Sequence, residues 1–302
     1  MDVVAFGELL IDFATVKIAG DGYPVMAAHP GGAPANFLAA LSRQGLKTAL
    51  LGKVGNDSFG KLLQGTLENH GIDTRGLLLS DDFFTTLAFV TFDESGDRQF
   101  AFARKPGADT QITFEELDLS LIDEAKVFHF GTLSLTDEPA RGCTKAVVTY
   151  AKSKGKLITC DPNLRKPLWK DLNEAKEQME WAISHADIVK ISDEEVEFLW
   201  GLTPSAAADR IIRDYEVKLA FITCGAEGSY YVNQNAQGFV PALTGLKVID
   251  TTGAGDIFGG SAIAKVLENK KAPEELSGEE LYEITAFATE VAGHSTERPG
   301  GM

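Results

Sequence analysis

Cysteine, histidine and positive charge are all scarce in this 302-residue chain, and each scarcity excludes something. The three cysteines, Cys143, Cys160 and Cys224, are odd in number and far apart. That argues against a disulfide framework, and the two that sit in apolar, strand-like runs read as buried reduced thiols. Five histidines (His29, His70, His129, His185, His294) show no ligand spacing with one another or with cysteine, which argues against a structural zinc site. Only 28 basic residues stand against 44 acidic ones, for a formal charge of −16. A field of that sign repels phosphate backbones and anionic lipid, so nucleic acid and membrane surfaces are poor partners. No apolar run approaches the roughly 18 residues of a membrane span. The start, Met-Asp-Val-Val-Ala-Phe-Gly-Glu, has neither a basic n-region nor a small-residue cleavage site. Repeats, low-complexity tracts and linkers are missing too. The expectation is one cytoplasmic domain over 1–302, with 44% hydrophobic residues to fill its core.

What is present alternates in type. Short β-branched runs at 3–10, 48–54, 127–130, 157–160, 188–191 and 219–223 predict buried strands. Between them, 35–44, 59–69, 140–152, 174–185 and 206–215 have helical period. Strand and helix in regular succession imply parallel strands with crossover helices on both faces, a three-layer α/β/α arrangement with a mostly parallel central sheet. Two excursions, about 13–29 and 86–104, break the rhythm. They predict hairpins with turns at Gly20-Asp21-Gly22 and Glu94-Ser95-Gly96-Asp97 that leave the edge of the sheet and pair as a small β-sheet lid.

The most informative stretch is Val248-Ile-Asp-Thr-Thr-Gly-Ala-Gly-Asp256-Ile-Phe-Gly-Gly-Ser261. It passes through Gly253-Ala254-Gly255 into a helical run at 257–267. Small residues at a helix start let backbone N–H groups approach an anion, and the helix dipole adds to the attraction. Such a nest stabilises the spread negative charge of a phosphoryl group in flight. A carboxylate in that place is costly unless it acts, and Asp256 is suited to accept the proton of an attacking hydroxyl. Capping of the helix is the plainer reason for an Asp there. The Gly55–Leu62 stretch nearly matches a P-loop, but Leu62 stands where the Mg²⁺-binding Ser or Thr belongs; Asp57 and Ser58 read as helix caps.

Asp250-Thr-Thr-Gly-Ala-Gly-Asp256 resembles the C-terminal signature of the ribokinase-like (PfkB) carbohydrate kinases. Gly31-Gly-Ala-Pro-Ala-Asn36, running on to Gly52-Lys-Val-Gly-Asn-Asp57-Ser-Phe-Gly60, resembles their N-terminal signature. Two long signatures in the right order make the resemblance specific, and it covers nearly the whole chain. It implies a ribokinase-like fold and ATP- and Mg²⁺-dependent phosphorylation of a sugar. Asp256 would be the general base, with the Gly253, Ala254 and Gly255 amides as anion hole. Asp12, Gly31, Gly32 and Asn36 would line the acceptor, with Phe102 from the lid. Thr223-Cys-Gly225-Ala-Glu-Gly228 resembles the nucleotide loop. The stretch 286–293 matches the helix bordering adenine, offering Phe287 or Ala288 as apolar walls. Ser192-Asp-Glu-Glu195 stands where many relatives have Asn-x-x-Glu; Glu195 would organise Mg²⁺ indirectly, and the Ser also makes a capping box. Asp250 and Thr252 lie where some relatives hold a monovalent cation such as K⁺.

The acceptor follows from Gly96–Asp109, Phe128-His-Phe-Gly131 and Asp161-Pro-Asn-Leu-Arg165, which resemble the fructokinase branch. Fructose is therefore the expected acceptor, at its 6-hydroxyl, with Arg104 and Arg165 as fixed guanidinium groups for hydroxyl or phosphoryl oxygens. The alternatives are 2-keto-3-deoxygluconate, ribose or a nucleoside, or a non-catalytic sugar-binding relative. Exposed faces of the lid are the candidate surface for a homodimer. The sequence stops soon after Arg298, where family members often continue.

Overall fold

The structure is a computed structural model, and it describes residues 1–92 and 98–302. The expected turn at 94–97 lies outside the described residues. In chain order the first elements are β1 (Val3–Phe6), β2 (Leu10–Ile18), β3 (Pro24–Gly31), α1 (Ala33–Arg43), β4 (Thr48–Gly55) and α2 (Ser58–Asn69). The next are β5 (Ile72–Asp73), β6 (Leu77–Ser80), β7 (Leu87–Phe92), β8 (Arg98–Ala103), α3 (Ser120–Glu124), β9 (Val127–Gly131) and α4 (Ala140–Ser153). There follow β10 (Leu157–Asp161), α5 (Leu172–Ser184), β11 (Ile188–Ser192), α6 (Asp193–Trp200), α7 (Pro204–Asp214) and β12 (Leu219–Thr223). The last are β13 (Gly228–Asn233), β14 (Gln237–Pro241), α8 (Ala254–Asn269) and α9 (Gly278–Ser295).

The large sheet has the order β14-β13-β12-β11-β10-β9-β1-β4-β5, with β6 beside the far end of β4. It is parallel from β12 to β5, and the hairpin strands β13 and β14 close one edge antiparallel. Both faces are covered, which is why its strands read as continuous apolar runs. Val4, Phe6, Phe128 and Ile191 pack with Val147 of α4, Met179 of α5, Val196 of α6 and Ile211 of α7. Val3, Leu50, Val127 and Phe221 pack on the other face with Phe37 of α1, Leu63 of α2, Phe258 of α8 and Ile284 of α9. This is the expected three-layer arrangement. Chain order turns back between β1 and β9, so the carboxyl ends of these strands form the crevice where α/β sheets hold ligands.

The second sheet has the order β3-β2-β7-β8. Each hairpin is antiparallel, but the two are joined by β2 and β7 running parallel, Ile11 opposite Leu87 and Phe13 opposite Phe89. The rings of Phe13 and Phe89 stack with centroids 5.4 Å apart, and Phe59 of α2 meets Phe13 edge-on. Two expectations need correction. The run at 3–10 is not one strand: the chain leaves the large sheet after Phe6 and enters the small one at Leu10. The first hairpin consequently leaves from β1, an interior strand, rather than from the sheet edge. Apolar character continues through Leu9, Leu10 and Ile11 because both sheets bury it, so hydropathy alone hides the crossing.

Candidate active site

The α8 helix begins from Gly253, whose φ of 76° is a conformation that side chains rarely adopt. No side chain caps its first turn; Ala254 N donates to the Thr251 carbonyl at 3.2 Å, and an anion arriving at the helix start would meet the remaining amides and the helix dipole. Asp256 is the acidic residue of the turn and is only 8% exposed. Close packing of α8 on α1 places it: a Cβ on Gly260 would stand 2.5 Å from the Phe37 carbonyl oxygen. The approach lets Asn36 of α1 donate from Nδ2 to Asp256 Oδ2 at 2.8 Å. Asn163, beyond β10, donates to Asp256 Oδ1 at 3.1 Å. Burial pushes the Asp256 carboxyl above the usual aspartate range, while Asn36, Lys190 and Arg165 pull the other way and Glu195 adds to the rise.

Asp12 lies on β2 opposite His29, and a Cβ on Gly31 would collide with its Oδ2. Burial raises Asp12 to about 6; Arg165 and His29 oppose the rise, and Asp256 and Asp250 add to it. Asp12, Asp256 and Arg165 therefore share one electrostatic environment. Glu195 is the N3 residue of α6 and closes a capping box with Ser192. Its Oε2 accepts from Ser192 N at 2.9 Å and Oγ at 3.1 Å, and its Oε1 accepts from Leu164 N at 2.6 Å. Both oxygens accept hydrogen bonds from within the protein. Among the described residues no group of three or more His, Cys, Asp or Glu is placed to hold a metal.

The stretch expected to hold the nucleotide is made differently. The Thr223–Gly228 stretch turns tightly from β12 into β13, with Cys224 N donating to Gly228 O at 2.8 Å and with positive φ at Gly225 and Gly228. Asp250 Oδ1 accepts from Thr252 N at 2.9 Å and Oγ1 at 2.7 Å, and Gly300 N donates to Oδ2 at 3.0 Å. Phe287 lines an open cleft of about 440 Å³ with Val291, His294 and Arg298, and takes Lys265 Nζ over its ring at 4.8 Å. Ala288 is wholly buried and cannot wall a pocket, which leaves Phe287 of the two expected there.

Arg104 also departs from expectation. It is 4% exposed, and its guanidinium is held by Asp109 Oδ2 at 2.7 Å, Thr136 Oγ1 at 2.7 Å and the Leu133 carbonyl at 3.0 Å. All three nitrogens are tied to the framework where the small sheet joins the large one, so Arg104 is not a free clamp. Arg165 is half-buried and keeps most of its donors, with Nη1 on the Leu164 carbonyl at 3.3 Å. Phe102 lies on β8 of the small sheet.

Sequence reasoning missed Asn163, Lys190 and the glycines near the end. A Cβ on Gly301 would stand 2.6 Å from the Asn36 amide. Lys190 interrupts an otherwise apolar buried strand, and that interruption was the available signal. Its Nζ donates to Asp161 Oδ2 at 3.0 Å.

The chain matches the pfkB family carbohydrate kinase model over residues 1–302. It is 38% identical to Fructokinase-2 of Solanum lycopersicum over 303 residues, covering 99% of this chain and 92% of that protein. The structure resembles a fructokinase with bound ATP from Xylella fastidiosa (TM-score 0.91, 27% identity), covering 99% of this chain and 93% of that one. It also resembles a fructokinase from Vibrio cholerae O395 in a fructose, ADP and calcium ion bound form (TM-score 0.87, 30% identity), covering 100% and 95%. With a helix-start amide nest, a buried carboxylate beside it and a family match along its full length, this chain belongs to the pfkB family of carbohydrate kinases.

Proposed function

We propose that the protein transfers the γ-phosphoryl group of ATP to the 6-hydroxyl of fructose. The observation that carries this is Asp256, held by Asn36 and Asn163 in the first turn of α8 among amides that no side chain caps. The fructose O6 forms a bond to the γ-phosphorus as the bond to the bridging oxygen breaks, and that electron pair leaves with ADP. The hydroxyl proton passes to the Asp256 carboxylate. The Gly253, Ala254 and Gly255 amides, with Arg165, face the charge spread over the transferring group. Asp12, Gly31, Gly32 and Asn36 bind the sugar hydroxyls, with Phe102 from the small sheet, which serves as the lid of a single kinase domain.

Thr223, Gly225 and Gly228 line the nucleotide with Phe287, and Ser192 acts by fixing Glu195. Glu195 would help hold the divalent ion that accompanies ATP, taken as Mg²⁺, indirectly, and that ion would supply positive charge to the phosphates. Asp250 and Thr252 are the residues that would hold a monovalent cation such as K⁺. Val16, Ile18 and Tyr23, apolar and exposed on the small sheet, are the surface for a homodimer. Three free buried cysteines suit the reducing cytoplasm. Among the described residues no helix is long and apolar enough to cross a membrane.

The deciding experiment measures initial rates of ADP release with fructose, 2-keto-3-deoxygluconate, ribose and a nucleoside. The expected result is the highest kcat/KM for fructose, with a 6-phosphate product by ³¹P NMR. Preference for another acceptor moves the assignment to that sugar. Sugar binding without ADP from any of them would leave a non-catalytic relative.

A further inference from the structure

A buried ammonium beside Asp256 has no part in the reaction as described so far. Lys190 is the one charged residue of β11, and its side chain is 12% exposed. One of its three N–H groups goes to Asp161 Oδ2. A Cβ on Gly255 would stand 2.7 Å from Nζ, so the ammonium lies directly against the first turn of α8. The other oxygen of Asp161, Oδ1, is buried and has no partner.

Charged groups face this point from every side. Asp161 comes from the end of β10, Glu195 from α6 and Asp256 from α8, and all three act on Lys190. Arg165 acts on Asp256 from the loop after β10, and Asp12 and Asp250 lie on its acceptor and nucleotide sides. His129 of β9 lines the same small closed cavity, with its ring stacked on Phe37 at 3.7 Å. Burial pushes it down to about 3, so it brings no charge. Among the described residues, Lys190 is the only cation enclosed with the three carboxylates.

We propose that Lys190 is a positioning residue for phosphoryl transfer, an ammonium that Asp161 fixes beneath Gly255 so that Asp256 stays in its proton-accepting form beside Asp161 and Glu195. The inference rests on the reading of Asp256 as the base. A neighbouring cation favours the ionised carboxylate and a neighbouring carboxylate disfavours it. Burial already works against ionisation here: it raises Asp161 to about 7 despite Lys190. Removing the ammonium would leave three carboxylates facing one another and the incoming phosphates, with Arg165 alone at the rim.

The test is the single-turnover rate at saturating fructose and Mg·ATP, followed against pH in four proteins: the wild type, Lys190→Met, Asp161→Asn and the double variant. The acid limb should climb by about one pH unit or more in Lys190→Met. It should fall below the wild type in Asp161→Asn and return near it in the double variant. Breaking a buried pair from one side is strongly destabilising. Should Lys190→Met not fold, the double variant against Asp161→Asn isolates the ammonium, and the double variant should have the higher limb. Coincident limbs in that pair overturn the proposal, since a merely structural lysine would lower the melting temperature without moving them. Asp256→Asn, run alongside, separates the two readings. If it turns over normally, the base assignment falls; if it is inactive while the limbs coincide, only the role of Lys190 falls.

Discussion

The two ends of the crevice, proposed here for the acceptor and for the nucleotide, are built from different materials. At the acceptor end, side chains do the work and are fixed before any ligand arrives. Asn36 and Asp256 are each less than a tenth exposed and hydrogen-bonded to each other across α1 and α8. At the nucleotide end, the Thr223–Gly228 turn and the start of α8 offer backbone, and the nearby apolar side chains Val248 and Ile249 are exposed. The difference follows from the ligands. Hydroxyls at fixed angles are told apart by fixed donors and acceptors, which can discriminate strongly on one contact. Phosphates ask only for converging N–H groups and charge. Specificity should therefore be concentrated at one end and tolerance at the other.

The sharpest way to break that contrast is Asp256→Asn, which keeps the size of the side chain but turns one of the two oxygens that accept from Asn36 and Asn163 into a donor. We expect kcat to fall by roughly 10²–10⁴-fold with both substrates still bound, as read by steady-state kinetics and calorimetry. Asp12→Ala should raise the fructose KM by on the order of tenfold or more and leave the ATP KM alone, because a hydrogen bond to a charged group is lost at one end only. A change confined to ATP would place Asp12 at the wrong end. In the wild type the fructose KM should rise as pH falls through about 6, where Asp12 takes up a proton, and Asp12→Asn should abolish that rise.

Gly253→Ala forces a side chain into a left-handed conformation costing about 1–2 kcal/mol. Its Cβ would also stand 2.7 Å from Gly301 Cα and 3.1 Å from Asn36 Nδ2, so it should raise the KM of both substrates several-fold. The smallest effect belongs to Glu8, a buried carboxylate between the two sheets whose Oε1 accepts from Ala33 N at 3.0 Å. Burial raises it to about 7, so its ionisation weakens the fold as pH rises through that value. Glu8→Gln should melt a few degrees higher at pH 8 and equal to the wild type near pH 4. A gain at both pH values would show that charge is not the cause.

How much of this was legible depended on whether the signal was local. Strands β9, β10, β11 and β12 match their β-branched runs to within a residue, because a parallel strand buried on both faces has little else to be made of. The start of α8 was legible for the same reason, since three small residues before an acid describe one backbone shape. Pairings between distant segments were not. Nothing in either excursion shows that β2 and β7 run parallel, and nothing near Arg104 shows that Asp109 and Thr136 hold it. A guanidinium at the end of a strand looks the same whether its partner is a sugar or the protein. Lys190 was overlooked because a single charge in a buried strand carries meaning only when its partner, 29 residues earlier, is known.

The parallel pairing of β2 with β7 has a mechanical consequence. Hairpins entering from an interior strand and from the far side of β4 could otherwise swing as separate flaps. Bonded along β2 and β7, and tied at the root by Ile11 N donating to Thr86 O at 3.1 Å, they form one stiff shutter. A shutter transmits force across its width, so a ligand gripping the Asp12 edge also carries β8 and Phe102 with it. If the small sheet is the lid proposed above, it would close over the sugar from both sides at once.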